Sequence, residues 1–357
     1  MAARCRLAYM RVSVLAGAVM TDTVLLTGIS GFLGGHIALQ LLQAGYAVRG
    51  SIRNPAKAET VRTTLAQAGA DLSRLEFVAL DLTSDAGWHE AMAGVRYLQH
   101  TASPFMLNMP ADRNELVGPA VAGTERALNA ALQAGVERVV LTSSMAAIAY
   151  GHDKVANPRF SATDWTALDG RPINAYIESK TRAERRAWQM MDAAGRHADL
   201  ATINPGVIFG PLLDQDPGTS AIVVKRLLDG SVPAAPRIAI TGIDVRDVAA
   251  AHLAAMIAPE AGGQRFPMGE SVIYFGDMAR LLRRHFPNHR VPRFGLPDWA
   301  VRLYALVDKD VRDNLGELGY AKPLDSTPTI ALLNRPLIPL EDAILATANS
   351  FVAQNLV

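Results

Sequence analysis

The sequence has little cysteine, few aromatic side chains and almost no net charge. Cys5 is the only cysteine among 357 residues, which excludes a disulfide framework and a cysteine metal cluster and favours a reducing, cytoplasmic location. Aromatic residues make up 6% of the chain and the formal net charge is +1, so nothing indicates a nucleic-acid-binding face. No apolar run approaches the roughly 18 residues of a membrane-spanning helix, and we expect no membrane association.

Residues 1–19 combine arginines with a short apolar run, a pattern loosely similar to a signal peptide. The first predicted strand, however, begins at about Thr23, and a start at Met20 would lead directly into it. We therefore expect residues 1–19 to be a disordered upstream extension or a misassigned start, with a targeting segment as the alternative.

Apolar side chains, by contrast, make up 50% of the chain. Through the first two-thirds, short β-rich runs alternate with longer helical patterns, which predicts an α/β fold with a doubly wound parallel sheet of the Rossmann type. The predicted strands are Thr23–Gly28, Tyr46–Ile52, Leu75–Leu80, Val95–His100, Arg138–Ser143 and Leu200–Pro205. The predicted helices are Phe32–Gln43, Ala56–Ala68, Asn114–Ala134 and Asn174–Ala194.

The alternation of strands and helices ends at Pro205. The later helical patterns Phe275–Phe286 and Asp298–Val307 do not alternate with strands. We expect residues 20–205 to form a dinucleotide-binding domain. Residues 206–357 are expected to form mostly a smaller substrate-binding lobe over the carboxyl edge of the sheet, with some segments returning to the first domain.

Three glycines, Gly28, Gly31 and Gly34, lie between the first strand and the first helix in the stretch TGISGFLG. Gly28 allows a tight turn, Gly31 lets a phosphate approach the helix N-terminus, and Gly34 permits close packing of helix on strand. The pattern predicts a dinucleotide site, with a purely structural turn as the alternative.

The end of the second strand indicates which dinucleotide binds. NAD-preferring proteins place an acidic residue there, but this position falls near Ile52 and is followed by Arg53. Lys57 and Arg49 lie close by. Because a guanidinium binds a 2′-phosphate that a carboxylate would repel, the sequence predicts NADP(H); solvated surface cations are the alternative.

Further candidate residues follow the third and fourth strands. Asp81 and Leu82 lie where a carboxylate would meet the adenine amino group, although Asp81 could equally cap a helix beginning near Ser84. The residues that follow the fourth strand at the same edge are Thr101, Ala102 and Ser103.

The stretch YIESK places Tyr176 and Lys180 on one face of a helix. We expect the ammonium to lower the pKa of the phenol toward the working range of an acid–base catalyst. Ser143 and Ser144 end the fifth strand, where a hydroxyl could bind a substrate carbonyl oxygen or simply satisfy the loop backbone. The histidines lack metal-ligand spacing, and no GxSxG occurs, so we predict neither a metal site nor a serine nucleophile.

With TGISGFLG, Ser143-Ser144, YIESK and NPGVIFGP present in one chain, the sequence resembles the extended short-chain dehydrogenase/reductases. It is most similar to the branch of dihydroflavonol reductases, cinnamoyl-CoA reductases and bacterial aldehyde/ketone reductases, over roughly residues 20–269. The resemblance implies that Tyr176 gives a proton to the carbonyl oxygen while NADPH gives hydride to the carbon. It also implies that Lys180 binds the nicotinamide ribose and that Ser144, rather than Ser143, orients the carbonyl.

The resemblance further implies which residues hold the cofactor. The pyrophosphate loop corresponds to Thr27, Ser30, Gly31, Phe32 and Leu33. The 2′-phosphate clamp corresponds to Arg53 and Lys57. The segment beside the nicotinamide corresponds to Pro205, Gly206 and Val207, and Ser220 falls near another cofactor contact.

One departure bears on the substrate. Plant dihydroflavonol reductases commonly carry Asn five residues after the catalytic serine, where this chain has Ala149, which disfavours a hydroxylated flavonoid. Met106, Leu107 and Met109 indicate either an apolar pocket wall or core packing.

We therefore predict NADPH-dependent reduction of an apolar aldehyde or ketone. An NAD-dependent nucleotide-sugar epimerase or dehydratase and a hydroxysteroid dehydrogenase are alternatives. A redox-sensing binding protein on the same scaffold typically lacks the Tyr/Lys pair. The helices Asn114–Ala134 and Asn174–Ala194 could pair across a two-fold axis in a homodimer.

Overall fold

A computed structural model of the chain describes residues 22–104, 110, 112–216, 218–307, 312 and 315–357. The expected extension at residues 1–19 and the methionine-containing loop with Met106, Leu107 and Met109 lie outside the described residues. Within those residues, a parallel sheet of seven strands lies at the centre. From one edge to the other, its strands are β10 (Arg265–Met268), β6 (Leu200–Pro205), β5 (Arg138–Thr142), β4 (Val95–His100), β1 (Thr23–Thr27), β2 (Ala47–Ile52) and β3 (Leu75–Ala79). The predicted doubly wound α/β fold is therefore confirmed.

Strands and helices alternate through the first two-thirds of the chain, and all of them except the short helix Trp88–Met92 follow the predicted bounds within one or two residues. The strands are β1 (Thr23–Thr27), β2 (Ala47–Ile52), β3 (Leu75–Ala79), β4 (Val95–His100), β5 (Arg138–Thr142) and β6 (Leu200–Pro205). The helices are α1 (Phe32–Gln43), α2 (Ala58–Gln67), α3 (Trp88–Met92), α4 (Asn114–Ala134) and α5 (Ala175–Ala193).

Both faces of the sheet are buried because alternate residues of each strand point to opposite sides. In β1, Val24 and Leu26 belong to the apolar cluster that includes residues of α1 and α2. Leu25, between them, packs in a second cluster with Leu128 of α4 and Trp188 of α5. This two-sided burial holds the carboxyl ends of β1, β4, β5 and β6 in one row, where the candidate site residues lie.

After residue 205 the chain continues as short strands and helices. The strands are β7 (Val207–Phe209), β8 (Ala235–Pro236), β9 (Ala239–Asp244), β10 (Arg265–Met268), β11 (Ser271–Tyr274) and β12 (Gly295–Leu296). The helices are α6 (Gly218–Leu228), α7 (Val245–Ile257), α8 (Phe275–His285), α9 (Asp298–Tyr304), α10 (Thr327–Leu333) and α11 (Leu340–Ala353). The predicted helix Asp298–Val307 thus ends three residues early.

Two of these later elements return to the main sheet. Helix α7 packs on α1, and β10 pairs with β6 as the edge strand. The sequence did not indicate β10, because Arg265 and Pro267 are poor strand signals. Pro267 is tolerated at the sheet edge, where one side of the strand needs no ladder hydrogen bond. Other elements that follow β6, among them α6, α8 and α11, build a separate core around Phe209, Leu227 and Phe351. In the described part of the chain, no helix combines the length and apolarity needed to cross a bilayer.

Candidate active site

The turn after β1 has the backbone that its glycines predict. Gly28 has φ +75°, and a Cβ there would lie 2.9 Å from Thr101 Oγ1. A Cβ on Gly34 would lie 2.0 Å from the Gly28 carbonyl oxygen, so helix and turn pack too closely for any side chain. Gly31 has φ −92°, and a Cβ there would meet that oxygen only at 3.4 Å. The chain itself therefore requires Gly28 and Gly34, whereas Gly31 leaves open the approach to the start of α1.

The first turn of α1 fits an anion. Gly31 precedes the helix without any side-chain cap, and the first turn contains no acidic residue. The N–H groups of Phe32, Leu33 and Gly34 have no intrahelical acceptor at this end of the helix. The partly exposed Ser30 lies next to them. These features suit the pyrophosphate of a dinucleotide.

Substitution of Gly34 tests this packing. We expect Gly34→Ala to lower the free energy of unfolding by about 1–3 kcal/mol, because the new methyl group overlaps a backbone carbonyl that has no room to move. Gly31→Ala, three residues earlier in the same loop, is the matched control and should cost less. Urea denaturation of both variants measures the difference, and equal losses would contradict the packing argument.

Two cations follow β2 at the expected clamp position. Arg53 and Lys57 are exposed, and the Asn54 side chain between them accepts a hydrogen bond from Ala56 N–H at 3.0 Å, which fixes the turn that carries both cations. Arg49 is different: its guanidinium pairs with Glu76 and donates to backbone carbonyls near α3. Arg49 therefore supports the sheet, whereas the Arg53 and Lys57 side chains are exposed after the end of β2.

The two candidate cofactor-binding residues after β3, Asp81 and Leu82, both have contacts within the protein. Asp81 Oδ1 accepts hydrogen bonds from Thr83 N–H (2.8 Å) and Thr83 Oγ1 (2.7 Å), and these bonds lower the pKa of Asp81. The predicted helix near Ser84 is wrong, because α3 begins at Trp88 after a left-handed Gly87. Asp81 thus caps a turn. Leu82 lies against Gly123 of α4.

The ends of β1 and β4 are tied together by one hydroxyl. Thr27 is fully buried, and its Oγ1 accepts hydrogen bonds from the N–H groups of Thr101 and Ala102, each at 3.1 Å. The same hydroxyl lies 2.9 Å from His100 Nδ1. Thr27 therefore shapes the loop from inside the protein, while Thr101, Ala102 and Ser103 remain partly exposed.

The structure brings Tyr176 and Ser144 together. The Asn174 side chain caps α5 by accepting from Ile177 N–H at 3.0 Å, which places Tyr176 in the first turn at the carboxyl edge of the sheet. A hydrogen bond joins the hydroxyls of Tyr176 and Ser144. Ser143 points inward and donates to Glu184 Oε2 at 2.5 Å. This geometry supports Ser144, rather than Ser143, as the serine that faces a substrate.

The electrostatics of the pair differ from expectation. Tyr176 and Lys180 are each partly exposed, and Tyr176 lines the cavity described below. Burial raises the pKa of Tyr176, and its hydrogen bond with Ser144 opposes the rise. Burial lowers the pKa of Lys180 to about 8, and the charge of Glu184 opposes this shift. The predicted lowering of the phenol pKa was wrong in direction, because desolvation outweighs the opposing effect of the hydrogen bond with Ser144.

The residues that follow the end of β6 lie beside Ser144 and Tyr176 in the lining of one cavity. Gly206 N–H donates to the Met268 carbonyl at 2.8 Å, and a Cβ on Gly206 would lie 2.5 Å from the Thr241 carbonyl oxygen. Pro205 is buried at the end of β6. Gly206, Val207 and Ser220 line a cavity that also contains Ser144 and Tyr176.

This cavity has a volume of about 1040 Å³. Its apolar wall includes Phe32, Met145, Ile173, Ile177, Ile208 and Val223. Its charged lining residues are Arg113, Arg171, Arg312 and Glu317. The arrangement can enclose an apolar molecule whose reactive oxygen meets the Ser144 and Tyr176 hydroxyls.

Sequence reasoning missed Tyr150 and selected its neighbour. Ala149 is 1% exposed and packs with Ile148 and Phe160, so its side chain belongs to the core. Tyr150 lines the cavity, and the Lys322 ammonium lies 4.5 Å from the centre of its ring. No local pattern distinguishes these two positions, because the turn after β5 decides which side chain faces the cavity.

The chain is similar in sequence to known proteins. Residues 24–269 match the NAD dependent epimerase/dehydratase family. Cinnamoyl-CoA reductase 1 from Petunia hybrida is 34% identical over 276 residues, which cover 77% of this chain and 80% of that protein. Tetraketide alpha-pyrone reductase 2 from Arabidopsis thaliana is 33% identical over 272 residues, which cover 74% of this chain and 83% of that protein.

The structural similarity extends beyond the matched region. The crystal structure of yeast methylglyoxal/isovaleraldehyde reductase Gre2 complexed with NADPH aligns with a TM-score of 0.75 and 26% identity. The alignment covers 94% of this chain and 100% of that one, so the fold is shared through the elements that follow the main sheet.

Proposed function

The chain belongs to the NAD dependent epimerase/dehydratase family within the extended short-chain dehydrogenase/reductases, and we propose that it is an NADPH-dependent reductase of apolar aldehydes and ketones. The observation that carries this proposal is the joining of the Ser144 and Tyr176 hydroxyls in an apolar-walled cavity. The cavity is also lined by Phe32 and Leu33, the first residues of the helix that follows the glycine turn.

The residues present fit NADPH. The free N–H groups of α1 suit the pyrophosphate, and the space left by Gly31 allows its approach. Exposed Arg53 and Lys57 at the end of β2 suit a 2′-phosphate, and Ile52 replaces the acid that would bind a ribose 2′-hydroxyl. The similar yeast reductase is complexed with NADPH. When bound, this cofactor supplies the hydride.

The chain supplies the proton and the orientation. Ser144 donates a hydrogen bond to the substrate carbonyl oxygen, and Tyr176 gives its proton to that oxygen. Because burial raises the pKa of Tyr176, its phenol is protonated at neutral pH and is ready to act as an acid. Lys180, with a pKa of about 8, is largely charged at pH 7 and stabilises the phenolate that remains. Lys180 also holds the nicotinamide ribose.

The lining of the cavity supports an apolar substrate body. Aliphatic and aromatic side chains are the most numerous in the lining of the cavity, and arginines lie among them. A simple aldehyde or ketone with a hydrophobic chain or ring would bury its carbon skeleton there and place its carbonyl at the two hydroxyls. The cytoplasmic location and the homodimer through α4 and α5 stay predictions.

The family description also names a second class of enzyme, the NAD-dependent epimerases and dehydratases. Such an enzyme would act on a nucleotide sugar. A hydroxysteroid dehydrogenase is a further alternative within the same chemistry. An epimerase would retain oxidised cofactor through its cycle, whereas a reductase consumes NADPH. The residue at the end of β2 favours the reductase, since Ile52 cannot accept hydrogen bonds from a ribose.

The test is NADPH consumption by the purified protein with a panel of aliphatic and aromatic aldehydes and ketones, steroid ketones and one nucleotide sugar. We expect absorbance at the nicotinamide band to fall with apolar carbonyl compounds and not with the nucleotide sugar. Tightly bound NAD in the purified protein, with no consumption of NADPH, would overturn the proposal in favour of the epimerase.

A further inference from the structure

A buried carboxylate lies directly beneath the site. The Glu184 side chain is fully buried in α5, one helical turn after Lys180. Its hydrogen-bond partners are Ser143 Oγ (2.5 Å), Asn204 Nδ2 (2.7 Å), Arg265 Nε (2.6 Å), Thr202 Oγ1 (3.1 Å) and Trp188 Nε1 (3.3 Å). So many donors around one carboxylate offset the cost of burying its charge.

Two of these partners lead to the active serine. Ser143 precedes Ser144 in the chain, and its hydroxyl is held by Glu184 Oε2. Asn204 Nδ2 binds the same oxygen and also lies 3.4 Å from the Ser144 carbonyl oxygen. The direction of the Ser144 side chain therefore depends on the position of the Glu184 carboxylate.

A third partner supports the turn that follows. Arg265, 8% exposed in the edge strand β10, donates to the carbonyls of Ala162 (2.8 Å) and Asp164 (2.6 Å). Its guanidinium lies 3.8 Å from the centre of the Trp165 ring. The next residue, Thr166, donates to the Ala146 carbonyl at 2.7 Å, inside the turn that Ser144 begins.

The fourth connection is electrostatic. Residues i and i+4 share a helix face, so the Glu184 carboxylate favours the charged form of Lys180 against desolvation. Two other titratable groups lie near Lys180 in the described part of the chain: Tyr176, one helical turn earlier, and His100 at the end of β4, whose imidazole interacts with the lysine charge. Burial and the lysine charge lower the pKa of His100 to about 3, so this imidazole is neutral in the working pH range. Glu184 is therefore the charge that supports the lysine.

We propose that Glu184 is a positioning residue of the reductase site, which holds Ser144 in line through Ser143 and Asn204 and places a negative charge one helical turn from Lys180. The proposal rests on the proposed function. Neither the YIESK pattern nor the strand-end serines indicate this role, because the contacts of Glu184 come from three separate strands.

The first test is Glu184→Gln. We expect kcat for carbonyl reduction to fall by about tenfold, because the amide has only one acceptor oxygen. Its NH₂ group would face hydrogen-bond donors that the second carboxylate oxygen had bound. Loss of the negative charge also lowers the pKa of Lys180 below about 8, so the lysine loses its proton at lower pH. The alkaline limb of the kcat/KM profile should therefore move to lower pH by roughly one unit.

Three variants separate these effects. Glu184→Asp keeps the charge and withdraws the carboxylate, and Ser143→Ala removes one donor; both should lower kcat and leave the alkaline limb in place. Glu125→Gln, an ion-paired glutamate of α4 that contacts Arg186, makes the same chemical change outside the network and should alter neither quantity.

A measurement without turnover completes the test. The chain has six lysines, so the ¹³Cε signal of Lys180 can be assigned by comparison with Lys180→Met and titrated by NMR. Its midpoint should fall in Glu184→Gln. If Glu184→Gln leaves both the midpoint and the pH profile unchanged, the proposal is overturned. If Glu184→Gln does not fold, a wild-type kcat in both Glu184→Asp and Ser143→Ala would overturn it instead. Absence of reductase activity in the wild type would instead count against the proposed function.

Discussion

Tyr176→Phe is expected to lower kcat for carbonyl reduction by about 10²–10⁴-fold while the Kd for NADPH changes by less than about twofold. The substitution removes one oxygen atom, and with it the proton donor and its hydrogen bond with Ser144. The ring itself stays, so the wall of the cavity keeps its shape. Stopped-flow measurement of NADPH oxidation in a single turnover reports the chemical step, and fluorescence titration reports cofactor binding.

The matched control is Tyr46→Phe. Tyr46 packs edge-on against Tyr97, with ring centres 6.5 Å apart, at the opposite end of the sheet from the site. The same loss of a phenolic oxygen there should leave kcat unchanged. If Tyr176→Phe keeps the wild-type rate of the chemical step, Tyr176 is not the proton donor and the proposed mechanism fails.

Local patterns were enough to predict the fold and the groups that the chain brings to the sheet edge. The strands around Leu25 and Val140 are apolar on both faces, and the turn at Gly28 follows the first of them, so their periodicity indicated a covered parallel sheet. Tyr176 and Lys180 were found together because one helix carries both.

The features that sequence reasoning missed depend on contacts between distant segments. From the sequence alone, Arg265 would be expected on the surface. It is buried because it pairs with the Glu184 carboxylate, 81 positions earlier in the chain. The pKa of Tyr176 was predicted in the wrong direction because spacing indicates a nearby charge and says nothing about burial. Tyr150 faces the cavity and Ala149 the core only because the turn after β5 rotates the chain there.

The cofactor preference gives the other large effect, which Arg53→Ala measures. A guanidinium that pairs with a 2′-phosphate contributes about 1.5–3 kcal/mol through charged hydrogen bonds, so NADPH should bind about 10–100-fold more weakly to the variant. NADH has a hydroxyl in place of that phosphate, and its affinity should change by less than about twofold. Titrations that follow nicotinamide fluorescence give both dissociation constants and their ratio.

Arg49→Ala is the control for this experiment, because it removes the same charge from the strand that leads to Arg53. The Arg49 guanidinium is already held by Glu76 and by the carbonyls of Ala91 and Ala93, so its loss should lower stability and leave the NADPH/NADH ratio as it was. A rise in the ratio of the NADPH Kd to the NADH Kd that occurs only in Arg53→Ala assigns the 2′-phosphate to the end of β2. An equal rise in both variants would mean that overall positive charge, rather than a specific clamp, distinguishes the two dinucleotides.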